Sequence, residues 1–236
     1  MNDLAYEQRR GEIETYFDRT AADAWAKLTS SAPVSGIRAT VRAGRDLTRS
    51  TLLSWLPADL HGLRILDAGC GTGALAVEAA RRGAEVVAID LSPTLVQLAR
   101  ERVPQDLGAG RITFCSGDML DAGLGHFDHV VGMDSLIHYE RHDVVRAIGA
   151  LAPRTRRSIV FTFAPRTPML AAMRVVGRLL PRSDRSPSIV PVTEKLLRKE
   201  LIENLPGWTI GRDLRVSTNF YKSHSIELCA PEMQHA

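Results

Sequence analysis

A short apolar segment that runs into a glycine-rich turn constrains the fold of this chain more than any other feature. Residues 63–67 have the pattern of a buried strand, the run D-A-G-C-G-T-G follows at 67–73, and a helical pattern begins at Ala74. Alternating glycines let a backbone turn sharply and approach a ligand without Cβ clashes. The free N–H groups of the following helix face that ligand. The pattern predicts an open α/β sheet with a nucleotide site above a central strand.

Strand and helix patterns alternate along residues 62–164. The predicted strands share β-branched and apolar residues and lie at 63–67, 85–89, 111–115, 127–133 and 158–163. The predicted helices between and after them lie at 74–82, 92–103, 140–151 and 193–204. Such alternation predicts a parallel sheet that is covered on both faces. Residues 208–216 and 219–230 then predict two strands with only a tight link between them, so these must pair antiparallel.

Two segments fall outside this alternation. Residues 1–57 predict a helix at 4–17 and a second helix that ends near Trp55, with a start signal at residues 30–33. Residues 165–191 are rich in proline, serine and arginine and contain one apolar helix candidate at 168–180. We therefore predict an N-terminal helical lid at 1–57. A core follows at 58–236, in which 165–191 is an inserted cap.

Composition excludes several classes of protein. The chain has 236 residues, of which 44% are hydrophobic and 24% charged, as in an average soluble protein. No stretch approaches the roughly 20 apolar residues of a membrane span, and the first residues do not resemble a secretory signal. Three scattered cysteines form neither a disulfide framework nor a zinc site. We expect a cytoplasmic protein with no metal site and no nucleic-acid partner.

Arginine dominates the basic residues, with 26 arginines and four lysines. A GC-rich genome gives the same bias, whereas a functional interpretation is planar, bidentate recognition of carboxylate or phosphate. The arginines concentrate at 38–49 and 166–185, outside the alternating core. This distribution favours an acidic ligand that contacts both segments.

Acidic residues at three strand ends distinguish between two classes of nucleotide ligand. Gly69, Gly71 and Ala74 satisfy the dinucleotide pattern formally. However, Asp67 precedes the first glycine by two residues, where a carboxylate suits a ligand with an ammonium group and is awkward beside a pyrophosphate. Asp90 ends the second strand and can accept hydrogen bonds from ribose hydroxyls. Asp118 ends the third strand and can accept from an adenine amino group. These positions favour S-adenosylmethionine.

With these residues the chain resembles the class I S-adenosylmethionine-dependent methyltransferases over 60–164 and 193–230. The resemblance implies a Rossmann-like, mostly parallel sheet of seven strands with an inserted antiparallel edge strand. It also implies that Arg38 meets the methionine carboxylate of the donor. For Arg42, Arg45 and Arg49 the ordinary expectation is a solvated helix face. The predicted donor site further includes the neighbours of the strand ends, Leu91, Met119 and Met133.

Three segments outside the glycine turn narrow this resemblance. Residues 16–25, 133–139 and 161–168 are similar to those of the magnesium-protoporphyrin IX O-methyltransferases, in particular the purple-bacterial type. The resemblance implies esterification of one propionate of magnesium protoporphyrin IX, a step of bacteriochlorophyll synthesis in photosynthetic organisms. Magnesium then belongs to the substrate. The implied partner is the large porphyrin-binding subunit of magnesium chelatase, and peripheral association with the photosynthetic membrane fits so apolar a substrate.

Four residues are candidates for the acceptor side. His138 follows the fourth strand and can position the propionate or take its proton, although a packing role is the alternative. Tyr16 lies on the lid helix, where it contacts the donor or substrate, or only packs. Arg166 and Arg174 are predicted to bind substrate carboxylates. Two other functions stay open, namely methylation of a quinone hydroxyl and non-catalytic tetrapyrrole binding.

Overall fold

One sheet of seven strands organises the chain in the computed structural model, which describes residues 3–20, 29, 36–167 and 189–231. The strands are β1 Arg64–Ala68, β2 Glu85–Asp90, β3 Arg111–Ser116, β4 Phe127–Gly132, β5 Thr155–Phe163, β6 Thr209–Ser217 and β7 Lys222–Cys229. Their order across the sheet is β3-β2-β1-β4-β5-β7-β6. The first five pair in parallel, and β7 is antiparallel to both of its neighbours. The predicted fold class is therefore confirmed.

Helices cover both faces of this sheet. They are α1 Asp3–Thr15, α2 Ile37–Trp55, α3 Ala74–Arg81, α4 Pro93–Arg102, α5 Arg141–Leu151 and α6 Glu194–Asn204. A π-helical turn, Tyr16–Thr20, follows α1 directly. Because successive side chains of a strand point to opposite faces, Ile65 packs with α2 and α3, whereas Leu66 packs with α5 and α6. The strands therefore contribute to two separate hydrophobic layers.

The start of α4 was predicted correctly and for the expected reason. The Ser92 hydroxyl accepts a hydrogen bond from the Leu95 N–H at 3.2 Å, and Pro93 occupies the first helical position. The structure adds a contact from the N-terminal segment. Asp18 accepts from the Ser92 hydroxyl at 3.1 Å and from the Thr94 N–H at 3.0 Å. The segment that follows α1 is thereby tied to the start of α4.

Several predicted boundaries differ from the structure. Strand β5 begins at Thr155, three residues earlier than predicted, and the link between β6 and β7 is a four-residue turn rather than two residues. In that turn the Thr218 N–H donates to the Tyr221 carbonyl at 2.9 Å. The start signal at 30–33 and the helix candidate at 168–180 lie outside the described residues. The division into lid, core and cap stays a prediction, although Tyr6 and Ile13 of α1 pack into the core.

An ion-pair network fastens α6 to the last two strands. His224 of β7 lies between Asp213 of β6, at 2.9 Å, and Glu194, at 3.4 Å. The Arg198 guanidinium bonds both carboxylates at 2.9 Å. The side chains of Glu194, Asp213 and His224 are close enough to share a metal ion. However, the guanidinium of Arg198 already supplies the positive charge between the two carboxylates. Within the described ranges, no helix is both long and apolar enough to cross a membrane.

Candidate active site

The glycine turn forms because the residues after β1 must pass very close to those after β4. Gly69 has a φ of +85°, and a Cβ added there would lie 2.3 Å from the Ser135 Cβ. The Gly69 and Cys70 N–H groups both donate to the Ile89 carbonyl, at 2.8 and 2.9 Å. The turn is thereby held against the end of β2. Glycine is required at this position by both conformation and space.

A cavity of about 390 Å³ opens at the carboxyl ends of β1, β2 and β4. Its size is within the range of small-molecule sites, and it occupies the place in the sheet where nucleotides bind. Eight of the residues predicted from sequence line it: Asp67, Gly69, Gly71, Asp90, Leu91, Met119, Met133 and His138. The fold therefore brings together most of the predicted donor site and one of the predicted catalytic residues.

The buried carboxylate of Asp67 fits a cationic ligand. Its side chain lies in the cavity wall with only 1% of the residue exposed. Its Oδ2 atom forms no hydrogen bond within the described part of the chain. Burial, and next the charge of Asp90, raise the pKa of Asp67 to about 7. An ammonium group would satisfy the oxygen and offset the cost of burying this charge, so the site fits the amino acid part of S-adenosylmethionine.

Asp90 is held rigidly at the end of β2. Its Oδ1 accepts from the Ser92 N–H at 3.0 Å, and its Oδ2 accepts from the Gly71 N–H at 2.8 Å. Burial raises the pKa of Asp90, while these backbone donors act to lower it. A carboxylate offers about four lone-pair positions, so both oxygens retain acceptor capacity for the two hydroxyls of a ribose.

Asp118 lies outside the main cavity. Its carboxylate accepts from the Arg10 guanidinium at 2.7 Å and from the Tyr6 hydroxyl at 3.5 Å, and both partners belong to α1. With Arg10 and Leu91 it lines a shallower depression next to the cavity. The contact with adenine stays a prediction. Arg10 was not singled out from the sequence, because nothing in the chain order indicates which helix covers the end of β3.

The two predicted catalytic residues occupy different environments. His138 lines the cavity and is 6% exposed, and its ring lies 5.8 Å from that of Phe17, which also lines the cavity. Tyr16 is half-buried in the π-helical turn and does not line the cavity. Its ring meets Phe17 edge-on at 5.2 Å. Tyr16 therefore packs against a residue of the cavity wall without lining the cavity itself. Its catalytic role stays a prediction.

The arginines of α2 are arranged differently from the prediction. The expectation that Arg42, Arg45 and Arg49 form a solvated face is wrong, because all three line the cavity. Arg38 is exposed and does not line it. Because α2 begins at Ile37, Arg38 lies in the first turn, at the far end of the same arginine face. The sequence correctly placed the four arginines on one face of α2. It could not predict which part of that face meets the cavity.

Of the two predicted substrate contacts, the structure describes only Arg166, which does not line the cavity. Arg166 is exposed after β5, and its N–H donates to the Val192 carbonyl at 3.0 Å. Arg174 lies outside the described residues. Asp134, which was not predicted, lines the cavity directly after β4 and bonds Arg45. Its position in the segment 133–139 was available from the sequence, but a lone aspartate there carried no specific signal.

Comparison with known proteins identifies the family of this fold and site. The family model described as magnesium-protoporphyrin IX methyltransferase C-terminus matches residues 132–230, and a general methyltransferase domain matches residues 65–157. The magnesium-protoporphyrin O-methyltransferase of Rhodobacter capsulatus is 48% identical over 224 residues, which are 94% of this chain and 97% of that protein. A ubiquinone biosynthesis O-methyltransferase from Xanthomonas oryzae is 38% identical, but over only 52% of this chain and 54% of its own length.

A solved structure agrees with these sequence relatives. The crystal structure of magnesium protoporphyrin IX methyltransferase from Synechocystis PCC 6803 with bound S-adenosylhomocysteine superimposes with a TM-score of 0.81. The two proteins share 31% sequence identity, and the match covers 94% of this chain and 99% of that one. Similarity of this extent includes the glycine turn, the segment after β4 and the C-terminal strand pair. The chain therefore belongs to the magnesium-protoporphyrin O-methyltransferase family.

Proposed function

We propose that this chain transfers the methyl group of S-adenosylmethionine to a propionate carboxylate of magnesium protoporphyrin IX. The product is the monomethyl ester, an intermediate of bacteriochlorophyll synthesis. Family membership over nearly the full chain carries this proposal. The cavity agrees with it, because a single space joins the glycine turn of a donor site to a wall that contains three arginines.

The chain's own residues define how the donor binds. When bound, S-adenosylmethionine supplies an activated methyl group that an oxygen nucleophile can accept. Asp67 holds the ammonium group, and Asp90 accepts from the ribose hydroxyls. The close passage of Gly69 past Ser135 leaves the donor space open on the cavity side. Met119 and Met133 are buried side chains of the cavity wall and provide apolar contact.

The acceptor chemistry needs position more than a strong base. A propionate has a reference pKa near 4 and is already ionised at neutral pH. Correct alignment of two reacting groups can supply several kcal/mol, up to roughly 7–11 kcal/mol in the best cases. We assign His138 to hold the carboxylate, since its buried ring lines the cavity beside Phe17. Phe17 and His138 also keep water from that part of the cavity wall.

The other predicted contacts belong to the same proposal. The Tyr16 hydroxyl is assigned to the donor or to the substrate carboxylate, and its ring packs against Phe17 of the cavity wall. Asp118 accepts from the adenine amino group at the depression beside the cavity. Arg38 is assigned to the methionine carboxylate of the donor, and Arg166 and Arg174 are assigned to carboxylates of the substrate.

Partner and location are also proposed. We assign the large porphyrin-binding subunit of magnesium chelatase as the partner that delivers the porphyrin, because its product is the substrate here. The protein is cytoplasmic and associates peripherally with the photosynthetic membrane. Exposed Ile37 and Leu47 on the arginine-rich α2 support this association, since apolar side chains beside basic ones favour an anionic lipid surface.

A transfer experiment with three acceptors tests the proposed activity. The protein is incubated with methyl-labelled S-adenosylmethionine and with magnesium protoporphyrin IX, metal-free protoporphyrin or a quinol. We expect label in the magnesium porphyrin and much less in the other two. Label in the quinol alone would instead indicate the ubiquinone-type reaction, in which a phenol with a reference pKa near 10 must lose its proton. Donor binding without any transfer would indicate a tetrapyrrole-binding protein.

A further inference from the structure

A buried polar cluster fixes Arg45 at the cavity wall. Asp134 accepts hydrogen bonds from the Arg45 guanidinium at 2.5 Å, the Tyr221 hydroxyl at 3.0 Å and the Thr162 hydroxyl at 3.3 Å. The Asp134 side chain is 5% exposed and that of Arg45 is 17% exposed. The contributing segments are α2, the loop after β4, strand β5 and the turn between β6 and β7. Three of them each supply a hydrogen-bond donor to the carboxylate of Asp134, which lies in the fourth.

The backbone of Asp134 is held in an unfavourable conformation. Its φ is +55°, and among the described residues it is the one non-glycine residue with a positive φ. Non-glycine residues rarely adopt this backbone conformation unless the surrounding structure fixes it. Here the Asp134 N–H donates to the Thr162 hydroxyl oxygen at 2.7 Å, while the same hydroxyl donates to the Asp134 carboxylate. Both the backbone and the side chain of Asp134 are therefore fixed by one threonine.

The cluster lies beside the donor turn. Asp134 and Arg45 both line the cavity. The next residue, Ser135, packs so closely against Gly69 that a Cβ there would overlap its side chain. Asp134 contacts the guanidinium through one terminal nitrogen, Nη1, and the Arg45 side chain lies in the cavity wall. Arg42 and Arg49 add positive charge to the same wall.

We propose that Arg45, oriented by Asp134, binds a carboxylate within the cavity. The carboxylate comes either from a propionate of the porphyrin or from the amino acid part of the donor. A planar guanidinium matches a carboxylate in bidentate geometry, which a lysine ammonium cannot reproduce. Arg45 is the binding residue, and Asp134 is a positioning residue that acts through it. This inference rests on the proposed function, since both ligands are those of the methyl transfer.

Two pairs of ligands, each with one member that lacks the free carboxylates of the other, distinguish the two sources. Magnesium protoporphyrin IX and its dimethyl ester are titrated by fluorescence. S-adenosylhomocysteine and methylthioadenosine, which lacks the amino acid part, are titrated by calorimetry. We expect Arg45→Gln to lower the affinity for the carboxylate-bearing ligand of one pair by about 10- to 100-fold. The dimethyl ester and methylthioadenosine should bind as they do to the wild type, which also shows that the variant is folded.

Two further variants and one control complete the design. Arg45→Lys keeps the charge but loses the fork, so its affinity should fall between those of the wild type and Arg45→Gln. Asp134→Asn should lower the affinity for the same ligand. The double variant with Arg45→Gln and Asp134→Asn should bind this ligand no more weakly than Arg45→Gln alone. Arg81→Gln removes an arginine that pairs with Glu78 on the exposed side of α3, away from the cavity, and should match the wild type.

The outcomes separate this inference from the proposed function. Loss confined to the diacid porphyrin identifies the propionate, and loss confined to S-adenosylhomocysteine identifies the donor carboxylate. Unchanged affinity of Arg45→Gln for both ligands overturns the binding role. Additive losses in the double variant overturn the positioning role of Asp134. A wild type that fails to methylate the porphyrin rejects the proposed function itself, whatever Arg45 binds.

Discussion

Replacing Asp67 by asparagine should stabilise the ligand-free protein while it weakens the donor site. The pKa of Asp67 is raised from 3.8 to about 7, mainly by burial. The fold therefore disfavours the charged form, and the associated stability is complete below pH 3.8 and lost as the pH rises to 7. The full cost is about 4 kcal/mol at a free-energy change of 1.36 kcal/mol per pH unit. Asparagine has the same shape and carries no charge.

The magnitude depends on pH in a way that other effects of the substitution do not. By linkage, the free energy of unfolding of Asp67→Asn should exceed that of the wild type by about 2 kcal/mol at pH 5 and by about 4 kcal/mol at pH 8. At pH 8 this corresponds to a rise in Tm of roughly 8–16 °C for a chain of this size. Urea unfolding of the ligand-free protein from pH 5 to 8 measures the difference directly. Asp106→Asn, at an exposed position remote from the cavity, is the matched control.

Donor binding should change in the opposite direction. Removing one partner of a buried ion pair costs about 3–5 kcal/mol, so Asp67→Asn should bind S-adenosylhomocysteine at least 100-fold more weakly by calorimetry. Wild-type affinity should fall as the pH drops below 7, whereas the affinity of the variant should not. Equal stability of the two proteins at pH 8, or equal donor affinity, would refute the assignment of Asp67 as a buried carboxylate that binds the ammonium group of the donor.

Three further sets of substitutions probe other parts of the site. Asp90→Ala should lower the affinity for S-adenosylhomocysteine by about 10-fold or more, because hydrogen bonds to a charged acceptor are lost. Wild-type affinity in a calorimetric titration would contradict the assignment of Asp90 to the ribose hydroxyls. Gly69→Ala should lower Tm and donor affinity because its Cβ would meet Ser135, and adding Ser135→Gly should restore part of both; no restoration would show that φ alone causes the loss. His138→Phe and Tyr16→Phe should each lower kcat while S-adenosylhomocysteine binds normally, and unchanged kcat in both would remove their acceptor roles.

The sequence was sufficient for those features that depend on neighbouring residues. The parallel sheet followed from the alternation of strand and helix patterns, and the donor turn followed from glycines directly after an apolar strand. Asp67, Asp90 and the start of α4 at Ser92 are local features of this kind. Each lies within a few residues of the strand end that positions it, so chain order alone indicates where it must lie.

Contacts between distant segments could not be predicted in the same way. The pairing of Arg10 with Asp118 joins residues 108 positions apart, and that of Arg45 with Asp134 joins residues 89 positions apart. The sequence placed Arg38, Arg42, Arg45 and Arg49 on one helix face, but the part of that face that meets the cavity depends on how α2 packs against the sheet. That packing is set by buried side chains such as Leu52 and Val131, which carry no chemical signal of their own.

The chemical stability of the transferred methyl group distinguishes a methyl ester of the porphyrin from any other methylated product. A methyl ester of a propionate is hydrolysed by mild alkali, whereas a methyl ether of a quinol is not. The protein is incubated with methyl-labelled S-adenosylmethionine and magnesium protoporphyrin IX, and the isolated porphyrin is treated with alkali. For carboxyl methylation, we expect the label to enter the porphyrin and then to be released as methanol. Label that resists alkali, or that never enters the porphyrin, would contradict carboxyl methylation.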